Sequence, residues 1–273
     1  MKILLLLTYF TSFSQGADSY TTNNFMLPIA FIENQQAWVL SQPFPQESGT
    51  IQGSLLRTRD GGITWEKISI PVTEKLTSVC FADNLRGWIV GSRGAVLASI
   101  DGGSSWRVIS RLESDLRSVF FTSTKTGWIA GAKLKSSEAS ESNKQGAIFF
   151  TTDGGVHWQP LTLPSGSGPV NSLFFHDSLR GWAAGIQMCD SLGRGVVYAT
   201  SNGGKKWTEQ FLSRRGNYIS SISFSSAEKG QIHSYNVPGA ETGPLEFFTT
   251  DGGKTWDELY PLSDFQSPSE ASQ

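Results

Sequence analysis

Charge and reactive side chains are scarce in this chain. Only 17% of its residues are Asp, Glu, Lys or Arg, and the formal net charge is −2. That balance gives no overall pull toward nucleic acid or an anionic membrane. The three histidines, His157, His176 and His233, are far apart and lack ligand spacing. No zinc site and no other metal or cofactor is therefore expected. The two cysteines, Cys80 and Cys189, fall in a strand-like run and in a polar loop. A bridge would need their Cα atoms within about 7 Å, and two unpaired thiols are expected. No Gly-x-Ser-x-Gly elbow, P-loop or dinucleotide fingerprint occurs. Beyond the first residues no run approaches the roughly 20 apolar residues that span a bilayer.

What the chain does have is turns and large aromatics. It carries 29 glycines, 9 tryptophans and 17 phenylalanines in 273 residues. That composition suits an all-β fold with buried aromatic surface. The N-terminus reads as a secretory leader over residues 1–17. Lys2 precedes an apolar stretch at residues 3–13, and Ser14, Gly16 and Ala17 supply small residues for cleavage. No cysteine follows the stretch to take a lipid anchor. A secreted or periplasmic protein is expected. The tail at residues 263–273, rich in Ser, Pro and Gln, is expected to be disordered.

An internal repeat sets the architecture. Five segments read Ser/Thr, any, Asp or Asn, Gly, Gly, any, any, Trp. They start at Thr58, Ser99, Thr151, Thr200 and Thr249. The acidic or amide position is Asp60, Asp101, Asp153, Asn202 and Asp251 in turn. The closing tryptophans are Trp65, Trp106, Trp158, Trp207 and Trp256, in steps of 41, 52, 49 and 49 residues. Upstream lies Gly-Trp-x-x-Gly, at Gly87–Gly91 and again from Gly127 and Gly181, with degenerate copies at Ala37-Trp38 and Gly230-Gln231. Earlier still comes Ser-x-x-Phe, ending at Phe81, Phe121, Phe175 and Phe224, with Pro28-Ile29-Ala30-Phe31 as the first copy.

Each repeat thus offers four short runs rich in Val, Ile, Phe and Trp, bounded by turn residues. That is the pattern of a four-stranded propeller blade. A β-propeller of five such blades is expected over residues 22–262. The Asp side chain suits an acceptor for its own turn. The glycines suit positive φ, and the Trp suits packing between sheets. One carboxylate per turn is too few for a calcium loop.

The eight-residue segment is the Asp box, or bacterial neuraminidase repeat, found in sialidases, sortilins and xyloglucanases. Combined with Gly-Trp-x-x-Gly, the stretch from Phe81 through Trp106 resembles a blade of the photosystem II stability/assembly factor family. The resemblance covers roughly residues 25–260. It implies an Asp-box propeller with an assembly or binding role. The family is usually seven-bladed, and five repeats are present here.

A sialidase would need an arginine triad, a Tyr–Glu nucleophile pair, an acid Asp and an opening Arg-Ile-Pro strand. Phe25-Met26-Leu27-Pro28 occupies the corresponding place without arginine. The leading expectation is a non-catalytic module that binds a protein or peptide. The alternatives are an Asp-box glycoside hydrolase using Asp115 and Asp190 as paired acids, and a structural domain of a surface assembly. Recognition is expected on the loops away from the boxes, at residues 42–53, 133–146, 187–195 and 233–244, and on the connectors between blades. There Arg117, Arg214, Arg215 and Tyr218 are the candidate contacts for a carboxylate or acidic peptide.

Overall fold

The computed structural model describes residues 29–32, 35–41, 54–133, 144–188, 192–240 and 245–259. The leader at 1–17, the Phe25–Pro28 stretch, Cys189, Asp190, the loop at 42–53, most of the loop at 133–146 and the tail at 263–273 lie outside them. The described chain forms five four-stranded antiparallel sheets, each contiguous in sequence. The described residues fall into two compact units, the first running through Leu161 apart from residues 144–145, which group with the second, and the second from Thr162.

The first unit holds three blades. Blade 1 is β1 (Ile29–Ile32), β2 (Gln36–Ser41), β3 (Ser54–Thr58) and β4 (Glu66–Ile68). Blade 2 is β5 (Leu76–Phe81), β6 (Gly87–Gly91), β7 (Ala95–Ser99) and β8 (Arg107–Arg111). Blade 3 is β9 (Ser114–Phe121), β10 (Gly127–Lys133), β11 (Gly146–Thr151) and β12 (Gln159–Leu161). The second unit holds two. Blade 4 is β13 (Ser167–Phe175), β14 (Gly181–Gln187), β15 (Arg194–Thr200) and β16 (Thr208–Arg215). Blade 5 is β17 (Asn217–Phe224), β18 (Gly230–Asn236), β19 (Glu246–Thr249) and β20 (Asp257–Leu259). The fourth strands start just after the box tryptophan, because the box itself is the turn.

Within each unit the three sequence motifs meet in one aromatic cluster between neighbouring blades. Phe121 stacks on Trp88 of the blade before it, with ring centroids 3.6 Å apart and planes at 6°. It meets Trp158 of its own box edge-on at 6.1 Å. Phe81 lies likewise between Trp38, at 4.4 Å, and Trp106, at 5.8 Å. In the second unit Phe224 stacks on Trp182 at 3.8 Å and meets Trp256 edge-on at 6.0 Å. Such pairs contribute roughly 0.5–1.5 kcal/mol each beyond the area they bury. The glycine that opens Gly-Trp-x-x-Gly makes room for this ring: a Cβ on Gly87 would sit 2.5 Å from Phe81, and one on Gly127 equally close to Phe121.

The serine of Ser-x-x-Phe has a different task. A first strand has one edge without a sheet partner, and its backbone groups need bonds from elsewhere. Ser78 accepts the Val119 N–H of the next blade at 3.2 Å, and Thr77 donates to Leu116 O at 2.8 Å. Ser172 and Asn171 repeat the arrangement in the second unit, on Ile222 N and Ile219 O. Cys80 lies in β5 as a free thiol. Burial pushes its pKa up to about 11, so it is no nucleophile at neutral pH.

Candidate functional site

The Asp boxes all join third to fourth strands, so they share one end of each blade with the hairpins between first and second strands. Each box is closed by its own atoms. In the second box Asp101 Oδ1 accepts the Ser105 N–H at 2.9 Å and the Ser99 hydroxyl at 2.8 Å, and Oδ2 accepts the Ser105 hydroxyl at 2.6 Å. Ser99 Oγ in turn accepts the Gly103 N–H at 2.9 Å. The pattern recurs on Asp60 with Thr58 and Thr64, and on Asp251 with Thr249 and Thr255. On Asp153 the exposed His157 ring takes the hydroxyl's place at 2.7 Å. Asn202 keeps the two bonds to its Oδ1, from Lys206 N and Thr200 Oγ1. The first box glycine donates to the neighbouring hairpin in every repeat, as from Gly102 N to Leu85 O at 2.9 Å and Gly203 N to Leu179 O at 2.8 Å.

These bonds hold the carboxylates ionised. The Thr64 hydroxyl and N–H lower Asp60 to about 2, and the Ser105 hydroxyl and N–H do the same for Asp101. The Thr255 N–H and hydroxyl bring Asp251 to about 2, and the His157 N–H and ring lower Asp153 further. A group whose folded pKa is depressed stabilises the fold above its unfolded pKa and loses that contribution as pH falls through the folded value. Stability is therefore expected to drop between about pH 4 and pH 2. Replacing Asp60, Asp101 and Asp251 by Asn should flatten that limb of a Tm-against-pH curve. The fourth box, already Asn, contributes nothing to it.

The opposite end of the blades carries the sequence-named candidates, and the structure alters their setting. The residues read as blade connectors are mostly strand. Asp115 and Arg117 belong to β9, Arg214 and Arg215 end β16, and Tyr218 is in β17. Gly216 alone makes the reversal between blades 4 and 5, with φ +73°, which a non-glycine residue resists. Arg117 lies in the first unit and the other three in the second. Asp115 Oδ1 accepts the Arg93 N–H at 3.1 Å, so it fastens the β6–β7 turn of the preceding blade.

In the second unit the candidates gather around the start of β15. Arg215 is the direct cross-strand partner of Arg194, an arrangement of like charges that opposes pairing unless an anion intervenes. Arg194 Nε is buried with no hydrogen-bond partner among the described residues. Arg214 pairs loosely with Glu258 at 3.4 Å. The Tyr218 hydroxyl donates to Leu192 O at 2.5 Å, and its ring meets Tyr235 edge-on at 5.8 Å. Sequence reasoning named the loop containing Arg194 without singling it out. Its register opposite Arg215 was the missing signal. Among the described residues no three His, Cys, Asp or Glu side chains gather as a metal site would need. Nor does any helix have the length and apolarity to cross a membrane.

A family model described as "Photosynthesis system II assembly factor YCF48" matches residues 17–177 and 58–211. The chain belongs to this family. A BNR/Asp-box repeat model matches residues 247–258 besides. The chain is similar to the photosystem II stability/assembly factor HCF136 of Arabidopsis thaliana, 33% identical over 132 residues, 45% of this chain and 29% of that protein. It is similar also to the photosystem II assembly lipoprotein Ycf48 of Synechococcus sp. (strain CC9902), 29% identical over 120 residues, 42% of this chain and 33% of that protein. The chain thus matches about a third of the length of these relatives. Among solved structures, one described as YCF48 bound to D1 peptide superposes with a TM-score of 0.53 at 20% identity, over 85% of this chain and 81% of that one. A GH74 xyloglucanase from Xanthomonas campestris gives 0.59 at 15% identity, over 85% and 38%. These likenesses establish the fold as that of Asp-box β-propellers. The family is one of assembly factors, not of enzymes.

Proposed function

We propose that this chain is a non-catalytic, extracytoplasmic β-propeller that binds a protein or peptide through the end of its blades opposite the Asp boxes. The observation that carries the reading is the Arg194–Arg215 cross-strand pair, with the Arg194 Nε–H buried and unanswered. Two guanidinium groups at one sheet end form a fork for carboxylates, and Arg214 and Tyr218 border them. Arg117 is assigned to the same role on the first unit. The D1 peptide held by the solved YCF48 supports a polypeptide as the ligand class. The leader-like N-terminus supports export. The closed hydrogen bonding of the boxes leaves their carboxylates no part in chemistry, and Asp115 is engaged with the β6–β7 turn of blade 2.

The test is affinity capture from the extracytoplasmic fraction of the native host, with the unmodified chain and with Arg194→Ala, Arg214→Ala/Arg215→Ala and Arg117→Ala variants. A partner held by the unmodified chain should bind the Arg214/Arg215 variant about 30-fold more weakly, the loss of about 2 kcal/mol of charge-assisted contacts. Equal capture by every variant would remove these residues from the site. Hydrolysis of sialosides or β-glucans, abolished by Asp115→Asn, would overturn the non-catalytic reading.

A further inference from the structure

One turn of the first unit is built against its own backbone preference. The connection between β6 and β7 is Ser92–Gly94, closed by the Ala95 N–H donating to Ser92 O. Its central residues, Arg93 and Gly94, have φ +54° and +73°. This is the geometry of a tight hairpin, which favours Asn or Gly at its first central place. Among the described residues Arg93 is the only one other than glycine with a positive φ. A long side chain is strained in that conformation, and Asn or Gly would relieve it.

Neighbouring segments of the same unit hold the strained residue in place. Asp115 Oδ1 on β9 accepts the Arg93 N–H at 3.1 Å. The Ser92 N–H donates to Lys75 O at 2.8 Å, and Gly94 O accepts the Leu112 N–H at 3.0 Å. Leu112 lies so close that a Cβ on Gly94 would overlap its carbonyl. The turn is thus clamped between the start of β5 and the segment leading into β9. Gly94 is buried, and Arg93 is the exposed residue of the three. The Arg93 guanidinium has no hydrogen bond or ion pair among the described residues. Glu74, by contrast, is engaged by Arg111 at 2.6 Å. Lys75 and Glu113 are also exposed, so this end of blade 2 is not uniformly basic. What singles out Arg93 is the backbone. The turn would form more readily without it, and no bond within the described residues uses its side chain. A residue kept against local preference marks a contact made outside the chain.

The β6–β7 turn lies at the end of the blades opposite the Asp boxes, assigned above to polypeptide binding. We infer, resting on that assignment, that Arg93 reads a carboxylate of the bound polypeptide on the first unit, and that Asp115 is the residue that positions it. A guanidinium carried on a clamped turn brings a fixed backbone to the ligand, and its planar fork matches a carboxylate. Asp115 then acts through its bond to the Arg93 N–H and not as an acid.

Binding of the full chain to immobilised short peptides rich in Asp and Glu tests this, each peptide paired with a twin in which Asn and Gln replace the acids. The unmodified chain should prefer the acidic member. Arg93→Asn should lower that preference about tenfold while raising the Tm by about 2 °C, because Asn suits the turn. Asp115→Ala should weaken the preference and lower the Tm. Asp115→Asn, whose amide oxygen still accepts the Arg93 N–H, should restore both. No preference in the unmodified chain, an unchanged preference in Arg93→Asn, or a fall in its Tm overturns the inference. Loss of preference in Asp115→Asn overturns the positioning role. The Arg214→Ala/Arg215→Ala variant separates this inference from the reading beneath it. A preference lost there and kept in Arg93→Asn removes Arg93 alone, and a preference unchanged in both removes the arginine-based polypeptide site.

Discussion

Trp106→Ala should lower the unfolding free energy by about 3–5 kcal/mol, the range for truncating a large buried aromatic. Trp106 is 6% exposed and belongs to a core with Trp38, Leu40, Leu55 and Phe81. Its ring closes one side of the Phe81 cluster, and its Nε1 donates to Gly103 O at 3.1 Å. Truncation opens a cavity between blades 1 and 2 and leaves that carbonyl unanswered. Chemical denaturation of the variant, read by near-ultraviolet circular dichroism, measures the loss. An unchanged midpoint would mean that the box tryptophan does not hold the two blades together. Trp65→Ala makes the internal comparison, since Trp65 is only partly buried, and it should cost less.

Gly131→Ala should cost about 3 kcal/mol, at the upper end for overpacking, because the obstacle is backbone. Gly131 closes the Gly-Trp-x-x-Gly motif of blade 3, at a register shift between β9 and β10. A Cβ there would run into Asp115 O and Leu116 Cα. Neither strand can move away without breaking its ladder. Gly61→Ala is the control. Gly61 has φ +73° and open space around it, so the substitution meets only the left-handed penalty of about 1–2 kcal/mol. Equal midpoints for the two variants would show that the close approach is not what selects glycine at position 131.

The candidate site was less legible than the scaffold, for a physical reason. A binding surface depends on which side chains the registers bring opposite one another. Arg214 and Arg215 stand out in the sequence because they adjoin. Arg194, 21 positions before Arg215, does not. The β15–β16 pairing contains register shifts, and no spacing rule predicts a partner across them. Asp115 shows the reverse case. As an acid near a presumed connector it has the look of a catalytic group, and only the turn it fastens reveals another use.

The repeat, by contrast, was determined by the sequence alone. Each box writes its hydrogen-bond acceptor, its positive-φ glycines and its Trp within eight residues, so the turn is specified locally. One such box and four short apolar runs per repeat, recurring five times, leave few folds other than Asp-box blades. The reason for the other two motifs emerged only in three dimensions. Phe121 is conspicuous in the sequence as an apolar strand residue. Its stacking on Trp88, 33 positions earlier, and its contact with Trp158, 37 positions later, exist only once two blades lie side by side. Ser78 likewise reads as an unremarkable strand serine until the neighbouring first strand offers it an N–H. Local turns follow from local chemistry. Blade junctions and surfaces follow from which strands the packing makes neighbours, and that belongs to the tertiary structure.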